Sequence, residues 1–322
     1  MNYLRGLWAV VLTAFIVVAG VTTGLADEKY PSRQIEMVIP FPAGGSTDIS
    51  GRIFSNELSK LLKVPVIPSN KGGSAGTIAG TYVYKAKRDG YTLLTASQGW
   101  FFGSCIHEIV YDPLKDFIPI ASFHVIPHAL CVKKDSPIKN LEDFVDRAKK
   151  NPKAIPVGSP GTGGDGHFTL EVFVKAANIQ VKHVPYKGVS DLPPAVMGGH
   201  VELGIGPASA FLPFIKSVDI RAIWMTSRMK ELPDAPSFAE RGFKARYFDN
   251  WAGIASPAGV PQVVIDTLID ASEKISKSKE FAEATEKTGT GIQYIRHAEF
   301  VKHLEEDRKI VEAMAKEMGL KK

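Results

Sequence analysis

Three times in this chain a glycine-rich turn leads from a short apolar run into a stretch of helical periodicity. The turns are FPAGGSTD at 41–48, NKGGSAGT at 70–77 and GSPGTGGDGH at 158–167. A strand that bends sharply into a helix needs residues that tolerate positive φ, followed by residues that cap a helix start. Such junctions recur where strands and helices alternate, so the pattern predicts an α/β chain with largely parallel sheets. Strands are expected at 35–39, 64–67, 92–96, 129–132, 155–158, 181–184, 201–205, 220–225 and 251–255. Between them, Ile53, Phe54, Leu58 and Leu61 repeat at helical spacing up to about Leu62, and Phe168, Val172, Phe173 and Ala176 do the same after the third junction. Asn140 reads as the cap of a helix carrying Leu141, Phe144 and Ala148, a further helix begins near Pro261, and 298–318 reads as a charged terminal helix. YDPLKDFIPI at 111–120 reads as a Pro-marked loop.

A chain of 322 residues suggests two domains. No Pro/Ser-rich linker separates them, which favours two lobes joined by crossing strands near 129–132 and 251–255. The expected division is 27–128 plus 252–322 for one lobe and 129–251 for the other. The first 26 residues read as a leader. Arg5 precedes an apolar run at 7–21, and Gly24 and Ala26 are the small residues before a cleavage point, so a secretory signal peptide and a periplasmic protein are expected. The run is shorter than the roughly 20 residues that span a bilayer. The formal net charge is +5 with both signs interspersed and no basic run beyond pairs such as Lys149-Lys150, which argues against a nucleic-acid partner. A mild positive field would speed capture of an anionic solute.

Each glycine junction leaves first-turn amides without helical partners, at the positive end of the helix dipole, and so offers a seat for an anion. One junction alone is equally compatible with a capped turn. Three of them at the carboxyl ends of strands, where ligands collect in open α/β sheets, point to a binding cleft. The phosphate motifs do not fit: no GxxxxGK[ST] occurs, and GGSAGT lacks the GxGxxG spacing. Ser97, Ser159 and Ser209 sit in no GxSxG elbow, and the histidines form no compact metal spacing, so neither metal nor cofactor is expected. His183 reads as a packing residue. His167 either caps its turn or lines a cleft, and Asp48 falls where it would organise the first turn. Trp100, Phe101 and Phe102 are either core or the roof of a cleft. Cys105 and Cys131 could pair in an oxidising compartment, or Cys131 could be a buried strand residue; spacing leaves this open.

Taken together, YPSRQIEMVIPFPAGGSTDISGR, NKGGSAGTIAG, DGYTLL, YDPLKDFIPI, VGSPGTGGDGHFTLEVF, VKHVPYKG and SPAGVP resemble, in order and spacing, the periplasmic solute receptors of tripartite tricarboxylate transporters, the Bug receptor family. The resemblance spans nearly all of the chain after the leader. It implies a two-lobed Venus-flytrap fold, a small organic carboxylate held between the lobes, and delivery to membrane transporter subunits by a monomer that is not an enzyme. It places the ligand against Phe41, Ala43, Gly44, Gly45, Ser46, Thr47 and Asp48 in the first loop and against Ser97 and Gln98 after the third strand. From the second lobe it places Ser159, Thr162, Gly163, Gly164, Asp165 and His167, with Tyr186 nearby. Two departures from the family pattern bear on specificity. Gly206, in VELGIGPASA, implies a lost polar contact and gained room. Asp165, where relatives often carry serine, would repel a second carboxylate, so a monocarboxylate or an acid with a neutral or cationic distal group is expected. Two other readings stand beside this one: a sensory receptor of the same fold, and a secreted serine hydrolase using Ser159 and His167.

Overall fold

The computed structural model describes residues 30–243, 245 and 247–321. The expected leader lies outside them, and every element below belongs to the unit that begins at Arg33. β1 (Ile35–Ile39) is buried almost throughout because strands pair with it in parallel on both sides, β2 (Val66–Asn70) and β3 (Thr92–Ser97). Between β1 and β2 runs α1 (Ser46–Leu62), whose Phe54 and Leu58 are fully buried. It ends at Lys63, which adopts the left-handed conformation at φ 58. β2 is the outer strand, half-exposed, and therefore tolerates Pro68. It starts two residues later than the apolar run suggests, because Lys63 still belongs to the helix end and Pro65 gives its carbonyl to the Ile35 amide. α2 (Thr77–Tyr84) precedes β3, and α3 (Gln98–Ile106) follows it directly.

The stretch expected as a loop, 111–120, runs into the first residues of a ten-residue strand, β4 (Phe117–Ile126). Pro127 alone separates it from β5 (His128–Lys133), and between these two strands the chain passes from the first sheet into the second. The second sheet is completed by β6 (Pro156–Pro160), β7 (Lys182–Tyr186), β8 (Leu203–Pro207) and β9 (Ile220–Met225), in the order β7-β6-β8-β5-β9. Its helices are α4 (Leu141–Lys150), α5 (Asp165–Ala177), α6 (Leu192–Met197) and α7 (Leu212–Lys216). The chain returns through β10 (Asn250–Pro257) to the first sheet, whose order is β11-β4-β10-β3-β1-β2. α8 (Gln262–Ser276), α9 (Lys279–Thr288), β11 (Gly291–Arg296) and α10 (His297–Glu317) follow.

The architecture is therefore α/β and two-lobed, with a mixed sheet in each lobe. Among the named strands four pairings are parallel and five antiparallel. That is less parallel than the alternating pattern predicts, because the strands that cross between lobes, β4, β5 and β10, run antiparallel to their neighbours. Gly253 is required where β10 lies on β4, since a Cβ there would come within 2.3 Å of the Ala121 carbonyl oxygen.

β5 divides the second lobe's core by its period of two: Leu130 and Val132 pack with Phe144, Phe173 and Trp224, while Ala129 and Cys131 pack with Leu192 and Phe211 on the opposite face. Cys131 and Cys105 are both buried free thiols in different clusters. The first lobe's core is aromatic. Trp100, Phe101 and Phe102 are core side chains on α3, and Phe102 meets Phe168 of α5 edge-on at 5.4 Å, so one apolar cluster spans both lobes.

Candidate functional site

The first and third glycine loops are conformational copies, one in each lobe. Gly44 and Gly163 both have positive φ, 80 and 74. Gly45 (φ −80, ψ 166) and Gly164 (φ −81, ψ 170) are the extended N-cap residues of α1 and α5. The same closure ties each loop. The Gly44 amide donates to Asp48 Oδ2 at 3.0 Å, and the Gly163 amide donates to His167 Nδ1 at 3.0 Å. A glycine cap supplies no side chain, so neither helix start is capped by its N-cap residue, and at α5 the Gly166 amide is instead taken by the Asp165 carboxylate.

The two loops face each other across a cavity lined by Phe41, Pro42, Gly45, Ser46 and Thr47 from the first lobe and Pro160, Asp165, Val189 and Pro207 from the second, with Asn250 at the start of β10. It measures about 20 Å3, room for about one water molecule. The lobes are closed. Ser209 Oγ donates to Ser46 Oγ at 2.8 Å, and His107 Nε2 meets the Thr162 carbonyl at 3.1 Å.

Of the residues expected from sequence, Phe41, Gly45, Ser46, Thr47 and Asp165 line this cavity. Ala43 and Gly44 are exposed at the loop tip. Asp48 is buried and committed to the loop itself, accepting from Gly44, from Arg52 Nε at 2.8 Å and from Asn70 Nδ2 at 2.8 Å. Burial would raise its carboxyl, but these donors outweigh burial and hold it below the ordinary value. Ser97 caps α3 through the Trp100 amide, and Gln98 is buried beside it. Ser159 is fully buried and bonds His183 Nε2 at 2.7 Å rather than His167, which does not fit a Ser159–His167 dyad. Thr162 is exposed and engaged through its carbonyl, while Gly163 and Gly164 shape the turn. His167 closes its turn and stacks on His183 at 3.8 Å. Burial and the neighbouring His183 push His167 down to about 3, and burial pushes His183 down to about 4, so both rings are neutral near pH 7. Tyr186 gives its carbonyl to the Gly161 amide and packs its ring over Gly158.

Two expectations need correction. Gly206 does not enlarge the cavity: Val189 fills the space, and a Cβ at position 206 would come within 2.7 Å of its Cγ2. Asp165 is not a bare carboxylate. His128 Nε2 lies 3.1 Å from Oδ2, and the Asn250 side-chain amide donates to the same oxygen. Burial alone would raise its carboxyl; His128, Asn250 and the Gly166 amide outweigh burial and keep it low. The apparent charge is therefore compensated from within the protein. The second glycine loop, 70–77, buttresses the first instead of lining the cavity. Asn70 Nδ2 donates to the Phe41 carbonyl at 2.9 Å, and Gly72 packs on Pro42.

Sequence reading did not place His128, Val189 or Asn250 at the site, and it weighed Ser209 only as a nucleophile. Polar side chains in the otherwise apolar runs IPHALCV and NWAGIA were the available signal, since a buried polar group needs a partner.

Residues 51–320 match the family described as "Tripartite tricarboxylate transporter family receptor". A Cupriavidus necator protein described as "UPF0065 protein in gbd 5'region" is 30% identical over 312 residues, covering 96% of this chain and 95% of that one. The solved periplasmic binding protein BugD is 27% identical, with a TM-score of 0.83 over 91% of this chain and 99% of its own. The R. palustris protein Rpa4515, solved with adipate, is 26% identical, with a TM-score of 0.85 over 90% of this chain and 98% of its own.

Proposed function

This chain belongs to the tripartite tricarboxylate transporter receptor family, and we propose that as such a receptor it binds a small organic carboxylate between its lobes and hands it to membrane transporter subunits. The family and its solved neighbours are solute-binding proteins, not enzymes. In this reading the leader at 1–26 directs a monomer to the periplasm. The lobes are 27–128 plus 252–322 and 129–251, hinged where β4 passes into β5 and where the chain returns at β10. The adipate bound by Rpa4515 supports a carboxylate as the ligand class.

The observation that carries the reading is the uncapped start of α1, a 17-residue helix whose Gly45, Ser46 and Thr47 line the cavity between the lobes. Its first-turn amides and dipole stabilise a carboxylate without any basic side chain. Phe41 and Pro42 provide an apolar wall. Asp48 organises the loop, and the second-lobe loop around Asp165 closes over the ligand. A cavity of about 20 Å3 is too small for an organic acid, so entry requires the lobes to part and the ligand's contacts to both of them to draw them together again.

Ser46→Pro tests the amide contact, because proline at the first helical position removes one N–H while fitting the helix start and the extended Gly45 before it. Calorimetry of the wild type against a panel of mono-, di- and tricarboxylates should find at least one tight binder. Ser46→Pro should weaken it about tenfold, the weight of one charge-assisted hydrogen bond, and Ser46→Ala should weaken it far less. Binding confined to non-acidic solutes, or equal effects of the two substitutions, would contradict the reading.

A further inference from the structure

The paired loops share a backbone but differ in occupancy. In the second lobe the helix start already has its anion. Asp165 is the first residue of α5, is 3% exposed, and accepts from the Gly166 amide. In the first lobe the equivalent position is Ser46, which is uncharged, and the acid of that loop, Asp48, is taken up by Arg52, Asn70 and Gly44. A ligand carboxylate therefore has one open seat, at α1, and meets a protein carboxylate on the facing wall.

The polar side chains of that facing wall, set among Pro160, Val189 and Pro207, are Asp165 and Asn250. His128 Nδ1 donates to the Phe248 carbonyl at 2.9 Å, which orients the ring and presents Nε2 to Asp165 Oδ2. Asn250 spends its amide nitrogen on the same oxygen, which fixes its Oδ1 as an acceptor. Asn250 is 3% exposed, and among the described residues that Oδ1 has no partner. The other Asp165 oxygen, Oδ1, lies by the first turn of α3, where a Cβ at Gly99 would come within 3.0 Å of it. Asp165 and Asn250 line the same cavity as Gly45, Ser46 and Thr47. A ligand that fills it without offering a donor leaves the Asn250 carbonyl buried and unsatisfied, which is unfavourable; a ligand hydroxyl or ammonium satisfies it.

We propose that Asp165 and Asn250 form a donor-selecting subsite, and that this receptor takes a small organic acid bearing a hydroxyl or ammonium group close to its carboxylate. The proposal rests on the reading that the carboxylate itself sits at the start of α1. His128 acts as a positioning residue for Asp165.

The test is calorimetry on the full chain with two matched sets: propionate, lactate and alanine, then succinate, malate and aspartate. In at least one set the hydroxyl- or ammonium-bearing acid should bind at least tenfold tighter than its unsubstituted parent, and the comparison of lactate and malate with alanine and aspartate tells which donor is preferred. Asn250→Ala should shrink that preference to within about threefold, because it removes the acceptor that a parent acid leaves unsatisfied. Asp165→Asn should do the same for an ammonium donor. Thermal unfolding of each variant verifies that it is folded, and the wild-type ranking stands without either variant. A parent acid that binds as tightly as its derivatives overturns the subsite and leaves the carboxylate reading intact. Ser46→Pro, by contrast, should weaken parents and derivatives alike. If none of the six acids binds while another carboxylate of the wider panel does, the subsite is overturned and the carboxylate reading stands; if no carboxylate binds at all, both fall.

Discussion

At the scale of single residues, the second-lobe loop is built on neutral histidines. His167 accepts from Gly163 and stacks on His183, which in turn holds Ser159. Their folded-state values of about 3 and about 4 lie below the ordinary 6.5. Between those limits the unfolded chain binds protons that the folded chain does not, so stability rises with pH across that window. The contribution is complete above about 6.5 and is lost as pH falls toward 4 and then 3. Each ring adds at most about 1.4 kcal/mol per pH unit, and His183 less because it is partly solvated. The melting temperature should therefore fall from pH 6.5 to pH 4, and His183→Gln should flatten that slope; an unchanged slope would sink the assignment. Asp165 is low-shifted as well, so its own contribution disappears only at more acidic pH, below the ordinary carboxylate value of 3.8. Some of this scale was legible in the sequence. Gly44, Gly45, Gly163 and Gly164 declare the turns because positive φ and an uncapped helix start demand particular residues. The Asp165 pairing was not legible: His128 is 37 positions away and Asn250 is 85. No local pattern encodes such a meeting.

At the scale of elements, most strands and helices followed from periodicity, with ends moved by one to three residues. The misses have physical reasons. The start of β4 reads as part of a loop because Pro119 normally ends a strand. In the fold, Pro119 lies opposite Ala255, where the ladder with β10 shifts register and an amide is not needed. α3 went unread because it is buried on all sides and so has no polar face to reveal a period. α9 and β11 belong to an excursion whose purpose appears only in packing. Phe281 of α9 and Phe123 of β4 both contact Phe54 of α1, with Phe54 stacked on Phe123 at 4.2 Å and edge-on to Phe281 at 6.3 Å. α1 is thereby braced behind its glycine-capped start. Phe54→Ala should cost about 3–5 kcal/mol in chemical denaturation, since the side chain is fully buried. A loss under about 1 kcal/mol would show that the three elements do not depend on that contact.

At the scale of the whole molecule, the fold brings two equivalent loops to face one another across one cavity. The chain enters the second lobe through β4–β5, whose His128 contacts the cavity residue Asp165, and returns through β10, whose Asn250 lines the cavity. The Ser46–Ser209 and His107–Thr162 bonds and the Phe102–Phe168 contact hold the closed arrangement. In the proposed function, a bound acid replaces some of these contacts with its own. The most direct measurement is a crystal structure of the complex with the tightest acid from the panel. The expected result places a ligand carboxylate oxygen within hydrogen-bond reach of the Ser46 and Thr47 amides, with the lobes closed over it and Asp165 and Asn250 against its other end. A ligand bound outside the cleft, or one whose carboxylate lies away from the start of α1, would contradict it.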